Sequence, residues 1–205
     1  MSTPAYTRLD VDERRRRLLE LGAALFARHS YDELSMARIA REAGISKALL
    51  YHYFPSKQSF FEATLAQGAE ELRRLTEPDP GLAPLAQLTT SLDAFLGWIE
   101  GNREAYTKLM EGAGTVAEVS ELIDRVREPT AQRILDGLFE HSEPTPAARA
   151  AVRAWLWFMD GACLDWIEHG DMDRAELREL LIGTLAGALV AAGAGGEAGA
   201  LAAAG

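Results

Sequence analysis

The sequence has little of the chemistry on which small secreted proteins and zinc enzymes depend. It contains one cysteine, Cys163, which excludes an internal disulfide framework and a cysteine-based zinc site. Its four histidines are scattered, with no HExxH pattern or paired spacing, so a zinc hydrolase is not expected. The first ten residues contain no apolar run, so no signal peptide is predicted. We therefore expect a cytoplasmic protein with no metal and no cofactor.

Residues that favour β-sheets are scarce as well. The chain has 6 valines and 7 isoleucines against 35 alanines and 28 leucines. Alanine and leucine lose little conformational freedom in a helix, whereas β-branched side chains suit pleated strands. The composition therefore predicts an all-α protein.

Motifs of catalysis are missing too. There is no glycine-rich phosphate loop, no recognisable Ser-His-Asp arrangement and no aspartate-rich metal motif of the kind found in helical lyases. We therefore expect no catalytic residues, and a small all-α enzyme is the weakest of the alternatives considered.

Charge is divided unequally along the chain. The net charge is −10, yet residues 1–57 carry ten basic and seven acidic side chains, whereas the other 148 residues carry eleven and twenty-four. Such asymmetry indicates two functional parts, of which the basic one is able to meet an anionic partner. A solvated surface would give the same count, so charge alone does not decide for nucleic acid.

Prolines and glycines separate about nine predicted helices. The predicted organisation is a head at 1–56, a connecting helix at 57–78, a C-terminal domain at 79–192 and a disordered tail at 193–205. Residues 180–196 are uncharged, but they are barely long enough for a membrane span and are rich in alanine and glycine. We expect an interface helix there instead.

Two short helices, predicted over 36–43 and 46–53, have the form of a helix-turn-helix. Gly44 can adopt the left-handed conformation that ends the first helix, and Ser46 can cap the second. The positions that would pack the two helices together are Ile39, Ala40, Ile45 and Leu50. Spacing alone leaves open a structural hairpin without DNA, in a helical adaptor protein.

The wider stretch, residues 35–62, resembles the DNA-binding signature of the tetracycline-repressor (TetR) family of bacterial transcription regulators. The shared elements are Ile39-Ala40, Ala43-Gly44-Ile45-Ser46, Leu50-Tyr51, Tyr53-Phe54 and Ser56-Lys57. The resemblance implies a homodimer whose N-terminal three-helix head reads double-stranded operator DNA and whose C-terminal helical bundle binds a small molecule. Repression rather than activation is expected only by analogy with the family.

The resemblance also implies which residues contact DNA. They are Ser35, Ser46, Lys47, Ala48, Leu49, Tyr51, His52 and Lys57. Ser35, Tyr51, His52 and Lys57 match positions of phosphate contact, and residues 47–49 match the part of the second helix that faces the bases. Ala48 and Leu49 depart from the glycine and the Thr or Ser common in the family, so hydrogen bonding to bases is expected mainly from Lys47.

Two neighbouring groups permit more than one interpretation. Arg14 to Arg17 form either a solvated helix face or an arm that contacts phosphate. Tyr53 and Phe54 are expected in the core rather than on DNA.

In a ligand-responsive regulator, the aromatic residues of the C-terminal part predict a mostly apolar effector pocket. The candidate residues are Trp98, Tyr106, Met110, Trp157, Phe158 and Asp160. Asp160 shares a helix face with apolar residues, and a buried carboxylate needs a partner or a polar ligand group. Exposure, or a salt bridge to Arg153 or Arg103, is the alternative.

The final two predicted helices, 146–168 and 174–192, are apolar on more than one side. Glycine and alanine alternate with leucine in the second of them, which permits close approach of another helix. The additional apolar sides of these helices and the family resemblance both predict a two-fold four-helix bundle between subunits. The residues assigned to the dimer interface are Trp166, Leu177, Leu181 and Leu185.

Overall fold

The computed structural model describes residues 11–113, 117–139 and 142–202, and every regular element in these ranges is a helix. The all-α prediction is confirmed there, with ten helices rather than about nine. They are α1 (Val11–Arg28), α2 (Met36–Glu42), α3 (Lys47–Tyr53), α4 (Lys57–Leu75), α5 (Pro84–Gly101), α6 (Arg103–Ala113), α7 (Ala117–Leu138), α8 (Pro146–His169), α9 (Arg174–Ala191) and α10 (Gly195–Ala202). The first ten residues of the predicted head and the last three of the predicted tail lie outside the described ranges.

The chain divides into two units, residues 1–68 and residues 69–205, so the first unit ends inside α4. The predicted head ends at residue 56, and two phenylalanines early in α4 explain the difference. Phe60 and Phe61 are buried, and the centroid of the Phe61 ring lies 4.6 Å from that of Phe26 in α1. The first part of α4 therefore completes the core of the head.

A close approach in this head requires glycine at position 22. A Cβ atom there would lie 2.5 Å from the Thr64 Oγ1 atom and 2.8 Å from the Phe60 ring. The Thr64 hydroxyl is itself held, because it donates a 2.8 Å hydrogen bond to the Phe60 carbonyl. α1 and α4 can therefore approach this closely only without a side chain at Gly22.

The core of the second unit includes buried side chains of α5, α8 and α9. The largest fully buried side chains among these are Leu96, Ile99, Val152, Leu177, Leu181, Leu185 and Leu189. The indole N–H of Trp155 donates a 2.8 Å hydrogen bond to the carbonyl of Leu181, which joins α8 to α9.

Local signals define the ends of α8 and α9. The Thr145 hydroxyl accepts a hydrogen bond from the Ala148 N–H, and Gly170 ends α8 with a φ of +61°. A capping box starts α9, because the Glu176 N–H donates to the Asp173 carboxylate at 2.9 Å and the Asp173 N–H donates to the Glu176 carboxylate at 2.7 Å.

Two helices form despite residues that disfavour a helix. α7 continues through Pro129, although proline has no N–H to donate within a helix. Residues 195–202 form α10, although they were assigned to a disordered tail. Alanine favours the helix despite the glycines, Ala194 is buried at its start, and the Ser142 hydroxyl donates to the Glu197 carboxylate.

None of the described helices is both long and apolar enough to cross a membrane.

Candidate functional site

The turn between α2 and α3 has the geometry that a helix-turn-helix needs. Gly44 has a φ of +65°, its N–H donates to the Arg41 carbonyl, and the Ile45 N–H donates to the Ala40 carbonyl. This pair of bonds is a Schellman motif, which satisfies the last carbonyls of α2. The Ser46 hydroxyl then accepts a 3.1 Å hydrogen bond from the Leu49 N–H and starts α3.

Apolar contacts fix the two short helices against each other. Ile39 in α2 and Leu50 in α3 are fully buried, Ala40 is 3% exposed, and Ile45 in the turn is half-buried. Both helices have only 7 residues, too few to be stable alone. Their shared packing therefore sets the orientation of α3.

The residues that the resemblance assigns to DNA lie mainly on the opposite, solvent side of α3. Ser46, Lys47, Ala48, Tyr51 and His52 are all exposed. Leu49 and Lys57 are half-buried, and Ser35, at the start of α2, is exposed.

A cation–π contact connects two of these side chains. The Lys47 ammonium lies 5.6 Å from the centroid of the Tyr51 ring, one turn further along α3. The contact leaves the ammonium on the exposed surface with its three donors available.

Lys57 has an internal partner that the sequence did not indicate. Its ammonium donates a 3.0 Å hydrogen bond to the Tyr31 carbonyl and lies 3.9 Å from the Tyr31 ring centroid. An ammonium has two further donors, so a phosphate contact stays a prediction, combined with a structural role within the head.

The arginine run of α1 is engaged within its own helix. Arg16 bonds to Glu13 and Glu20, both at 2.6 Å, and Arg17 bonds to Glu13 at 2.8 Å. These hydrogen bonds favour the charged carboxylate and lower the pKa of Glu13. Arg15 lies over the Phe54 ring, 5.3 Å from its centroid. The solvated-face interpretation therefore accounts for Arg16 and Arg17.

The structure separates the predicted effector residues into two groups. Tyr106 is buried, and Trp98 and Met110 pack against the core at its border. Trp157 and Phe158 are 63% and 39% exposed, so neither side chain lies in the interior of the chain.

Helix geometry explains why Trp157 and Phe158 lie outside the interior. Successive residues are about 100° apart on a helix, so one helix cannot turn a run of neighbouring aromatic side chains inward together. Trp155 and Leu156 occupy the buried positions of this turn of α8.

The sixth predicted residue, Asp160, has an ionic partner that the sequence analysis missed. Its carboxylate pairs with Arg127 of α7 at 2.5 Å and accepts a 2.8 Å hydrogen bond from the Tyr106 hydroxyl of α6. The position of Asp160 on an apolar helix face predicted that its carboxylate has a partner. That partner is Arg127 of α7, not Arg153 or Arg103. Nothing in the spacing of α7 and α8 along the chain indicates that pair.

Burial keeps two groups beside this carboxylate neutral. Desolvation, together with the charge of Asp160, raises the pKa of Tyr106 far above its usual range. The same two causes raise the pKa of the Cys163 thiol to about 12. Tyr106 therefore remains a hydrogen-bond donor at physiological pH, and Cys163 behaves as a packed side chain.

The residues assigned to the dimer interface belong to the core of the chain itself. Leu177, Leu181 and Leu185 are fully buried, and Trp166 is 3% exposed. The indole N–H of Trp166 donates to the Met172 carbonyl at 2.8 Å. These four assignments are wrong, because α8 turns Trp166, and α9 turns the three leucines, toward the core of their own chain.

A second, exposed apolar stripe follows α9 on another side. It consists of Leu180, Gly183, Gly187 and Val190, and Leu180 and Val190 are 46% and 60% exposed. On α8 the exposed stripe consists of Ala150, Ala154, Trp157 and Gly161. We call these two stripes together the outward face.

A groove of about 500 Å³ lies between α5 and α9. Asp93 pairs there with Arg174 at 3.5 Å and with Arg178 at 3.0 Å. None of the six predicted effector residues lines this groove.

Comparison with known proteins covers both units. A family model for bacterial regulatory proteins of the tetR family matches residues 18–64, and a model for the tetracyclin repressor-like C-terminal domain matches residues 84–187. The transcriptional regulator BetI of Cronobacter sakazakii is 34% identical over 74% of this chain and 78% of its own length. A crystal structure of a tetR-family regulator from Streptomyces coelicolor is 31% identical, with a TM-score of 0.80 over 94% of this chain and 88% of that one.

Other similarities are shorter. The transcriptional repressor KstR of Rhodococcus jostii is 29% identical over 56% of this chain. The chain spans 58% of the length of that relative.

Proposed function

Because this chain belongs to the tetR family of bacterial regulatory proteins, we propose that it is a homodimeric transcriptional repressor released from its operator by a small, largely hydrophobic effector. The observation that supports DNA binding best is α3. Its apolar side is locked to α2 through Leu50, and its solvent side presents Lys47, Ala48, Tyr51 and His52.

In the proposed complex the N-terminal part of α3 enters the major groove. Lys47 donates to guanine O6 or N7, and the methyl group of Ala48 packs against thymine methyl groups. Tyr51, His52 and Lys57 donate to phosphates on the groove walls, which fixes the position of α3 without reading sequence. Ser35, at the start of α2, contacts phosphate in the same way.

DNA binding is tested by fluorescence anisotropy with the DNA upstream of the gene and with random DNA, over a series of salt concentrations. We expect preferential binding to the upstream DNA. Lys47→Ala should reduce this preference by about 1–3 kcal/mol per half-site, because the only side chain at positions 47–49 able to donate to guanine is lost. Arg16→Ala serves as the control, since Arg16 pairs with Glu13 and Glu20. Equal binding of wild-type protein to both DNAs would reject sequence-specific recognition.

Homodimerisation is proposed through the outward face. One recognition helix contacts only a few base pairs, so specificity requires two half-sites about one helical turn, roughly 34–36 Å, apart. The outward face offers apolar side chains at Leu180, Val190 and Trp157 and small residues that let helices approach closely. Burying it against a second copy would produce the four-helix bundle expected from the sequence, on the other side of α9.

Gly183→Leu tests this interface without disturbing the protomer. A Cβ atom at Gly183 meets nothing within 4 Å in the described part of its own chain, so the larger side chain starts in open space and is expected to obstruct a partner. We expect sedimentation to show weaker dimerisation and anisotropy to show weaker operator binding. Gly161→Leu tests the α8 stripe with the same logic, since its Cβ position is open as well. A wild-type monomer that binds operator tightly would contradict the proposal.

The effector is proposed to bind in the second unit. Trp98 and Met110 border the apolar core, and Tyr106 and Asp160 supply polar groups beside it. An effector shifts the protein away from DNA only by binding the DNA-incompetent shape more tightly than the competent one.

The regulator class is favoured over the two alternatives from the sequence, a helical adaptor and a small enzyme. A regulator that acts on DNA and needs no catalysis belongs in the cytoplasm. Repression is distinguished from activation by a reporter gene under the upstream DNA. Expression should rise when the regulator gene is deleted, and a fall would assign activation instead.

A further inference from the structure

The surroundings of the Arg127 guanidinium have the composition of a receptor for an organic cation. Arg127 Nε and Nη2 donate to the Asp160 carboxylate at 3.2 and 2.5 Å. The guanidinium carbon also lies 3.6 Å from the centroid of a Trp157 ring. Tyr106 holds the other carboxylate oxygen at 2.8 Å. A charged acceptor combined with an aromatic face is the arrangement that binds amines and guanidines.

Charge at this site favours a cation over an anion. The Arg127 and Asp160 side chains are each 15% exposed, so solvent screens their pairing only weakly. A second carboxylate, that of Asp124, lies 4.0 Å from Arg127 Nη1. If the guanidinium left, Asp160 would remain half-buried without a countercharge, and a bound cation would restore one.

Arg127 is also suited to leave. Its charge is carried on a long side chain with several rotatable bonds, and Pro129 follows two residues later within α7. Proline has no N–H, so the carbonyl of Arg125 lacks its usual helical partner and this part of α7 is weakened. Trp157 is 63% exposed in the single chain, so its ring lies at the surface rather than in the core.

We propose that the effector is an organic cation with an apolar tail, and that its cationic group replaces the Arg127 guanidinium between Asp160 and Trp157. The inference rests on the proposed function and names the chemistry of its effector. Replacement breaks the ionic bond between α7 and α8. Because Trp157 is part of the outward face, replacement of the Arg127 guanidinium also changes the surface that contacts the partner subunit.

The first experiment asks whether the site accepts a free cation. Arg127→Ala should bind methylguanidinium saturably, as measured by tryptophan fluorescence and thermal shift, and should not bind methylurea, its neutral isostere. Adding Asp160→Asn should abolish binding, and Arg153→Ala, an exposed arginine of α8, should not create it. If circular dichroism shows that Arg127→Ala is unfolded, Arg127→Met replaces it, because it keeps most of the side-chain volume.

The second experiment asks whether the wild-type dimer uses the site. N-butylguanidinium should bind and lower operator affinity, whereas N-butylurea and pentanoate should do neither. Arg127→Ala should bind N-butylguanidinium at least about tenfold more tightly, because no internal guanidinium competes. If N-butylguanidinium binds to Arg127→Ala but not to the wild-type protein, the ion pair between Arg127 and Asp160 is purely structural and the proposal is overturned. Arg127-dependent binding of pentanoate would also overturn it.

Operator binding by unliganded wild-type protein is measured first. Tight operator binding with no response to the cation rejects the cation site alone. If the protein binds the cation but does not recognise the operator, the proposed regulatory function is rejected and the cation site is retained.

Discussion

The recognition helix of the head and the last two helices of the bundle use their apolar residues differently. α3 has 7 residues and a single fully buried side chain, Leu50, so most of its surface is available to a ligand. α8 and α9 have 24 and 18 residues and carry apolar side chains on two sides. One side forms the core and the other is the outward face. A short helix can thus serve its own fold on one narrow side, whereas a long helix can serve both its fold and a partner.

The largest expected effect distinguishes the two apolar sides of α9. Leu185 is fully buried and Leu180 is 46% exposed. We expect Leu185→Ala to lower the free energy of unfolding by about 2–5 kcal/mol, because it leaves a cavity in the core. Leu180→Ala should change protomer stability by at most about 0.5 kcal/mol.

Urea unfolding at several protein concentrations measures both effects. If Leu185 is a core residue, the stability that Leu185→Ala loses does not depend on the protein concentration. If the loss appears only through weaker dimerisation, the buried stripe belongs to the interface after all.

The next prediction compares two helical glycines of the head unit. Gly22→Ala should destabilise it by about 1–3 kcal/mol, because the new Cβ would lie 2.5 Å from Thr64 Oγ1. Gly68→Ala should be neutral or stabilising by up to about 1 kcal/mol, because nothing lies within 4 Å of its Cβ position and alanine favours a helix. Thermal unfolding checks the pair, and equal effects would contradict the close packing of α1 on α4.

A third prediction separates two roles of Lys57. Lys57→Ala should cost about 1 kcal/mol of stability, since the hydrogen bond to the Tyr31 carbonyl is lost. It should also flatten the slope of log affinity against log salt by about one unit per half-site, equally on operator and random DNA. Gln58→Ala, at an exposed neighbouring position, is the control. An unchanged salt slope with reduced stability would leave Lys57 a purely structural role.

The smallest expected effect concerns the C-terminal end of α8. A hydrogen bond from His169 to the Asp165 carbonyl, and the nearby Asp165 carboxylate, raise the pKa of His169 above its usual value. A raised pKa in the folded state stabilises the protein fully below the unfolded value, about 6.5. That contribution is lost as the pH rises through the raised pKa.

The titration of the His169 ring in NMR spectra measures this pKa directly. Asp165→Asn should lower the midpoint and retain the backbone bond. A midpoint unaffected by Asp165→Asn would leave the carbonyl as the cause.

In the helix-turn-helix, the sequence predicted the two short helices and the turn between them because their signals are local. Ser46 caps α3 within three residues, and Gly44 ends α2 within its own turn. Lys57 is the exception, since its partner Tyr31 lies 26 positions away and no periodicity connects them.

In the bundle, the same kind of reasoning identified the apolar residues but not which of them lie in the core and which lie at the surface. Leu181 and Leu180 are neighbours of identical chemistry, yet one is fully buried and the other is exposed. The interface assignment fell on Leu177, Leu181 and Leu185, which pack inside the chain, because both sides of α9 have apolar residues at helical spacing.

The amino-acid sequence by itself determined the helical class, the capping residues and the turn between α2 and α3, because each depends on interactions within a few residues. It also indicated the family, because the signature lies in one continuous stretch of the chain. Only the tertiary structure decided which apolar side of α9 is internal, that Arg127 rather than Arg153 or Arg103 pairs with Asp160, and that Phe60 and Phe61 belong to the head. These outcomes depend on which helices become neighbours. Residues such as Arg127 and Asp160 are 33 positions apart, and their meeting is settled by the packing of whole helices, which no local pattern contains.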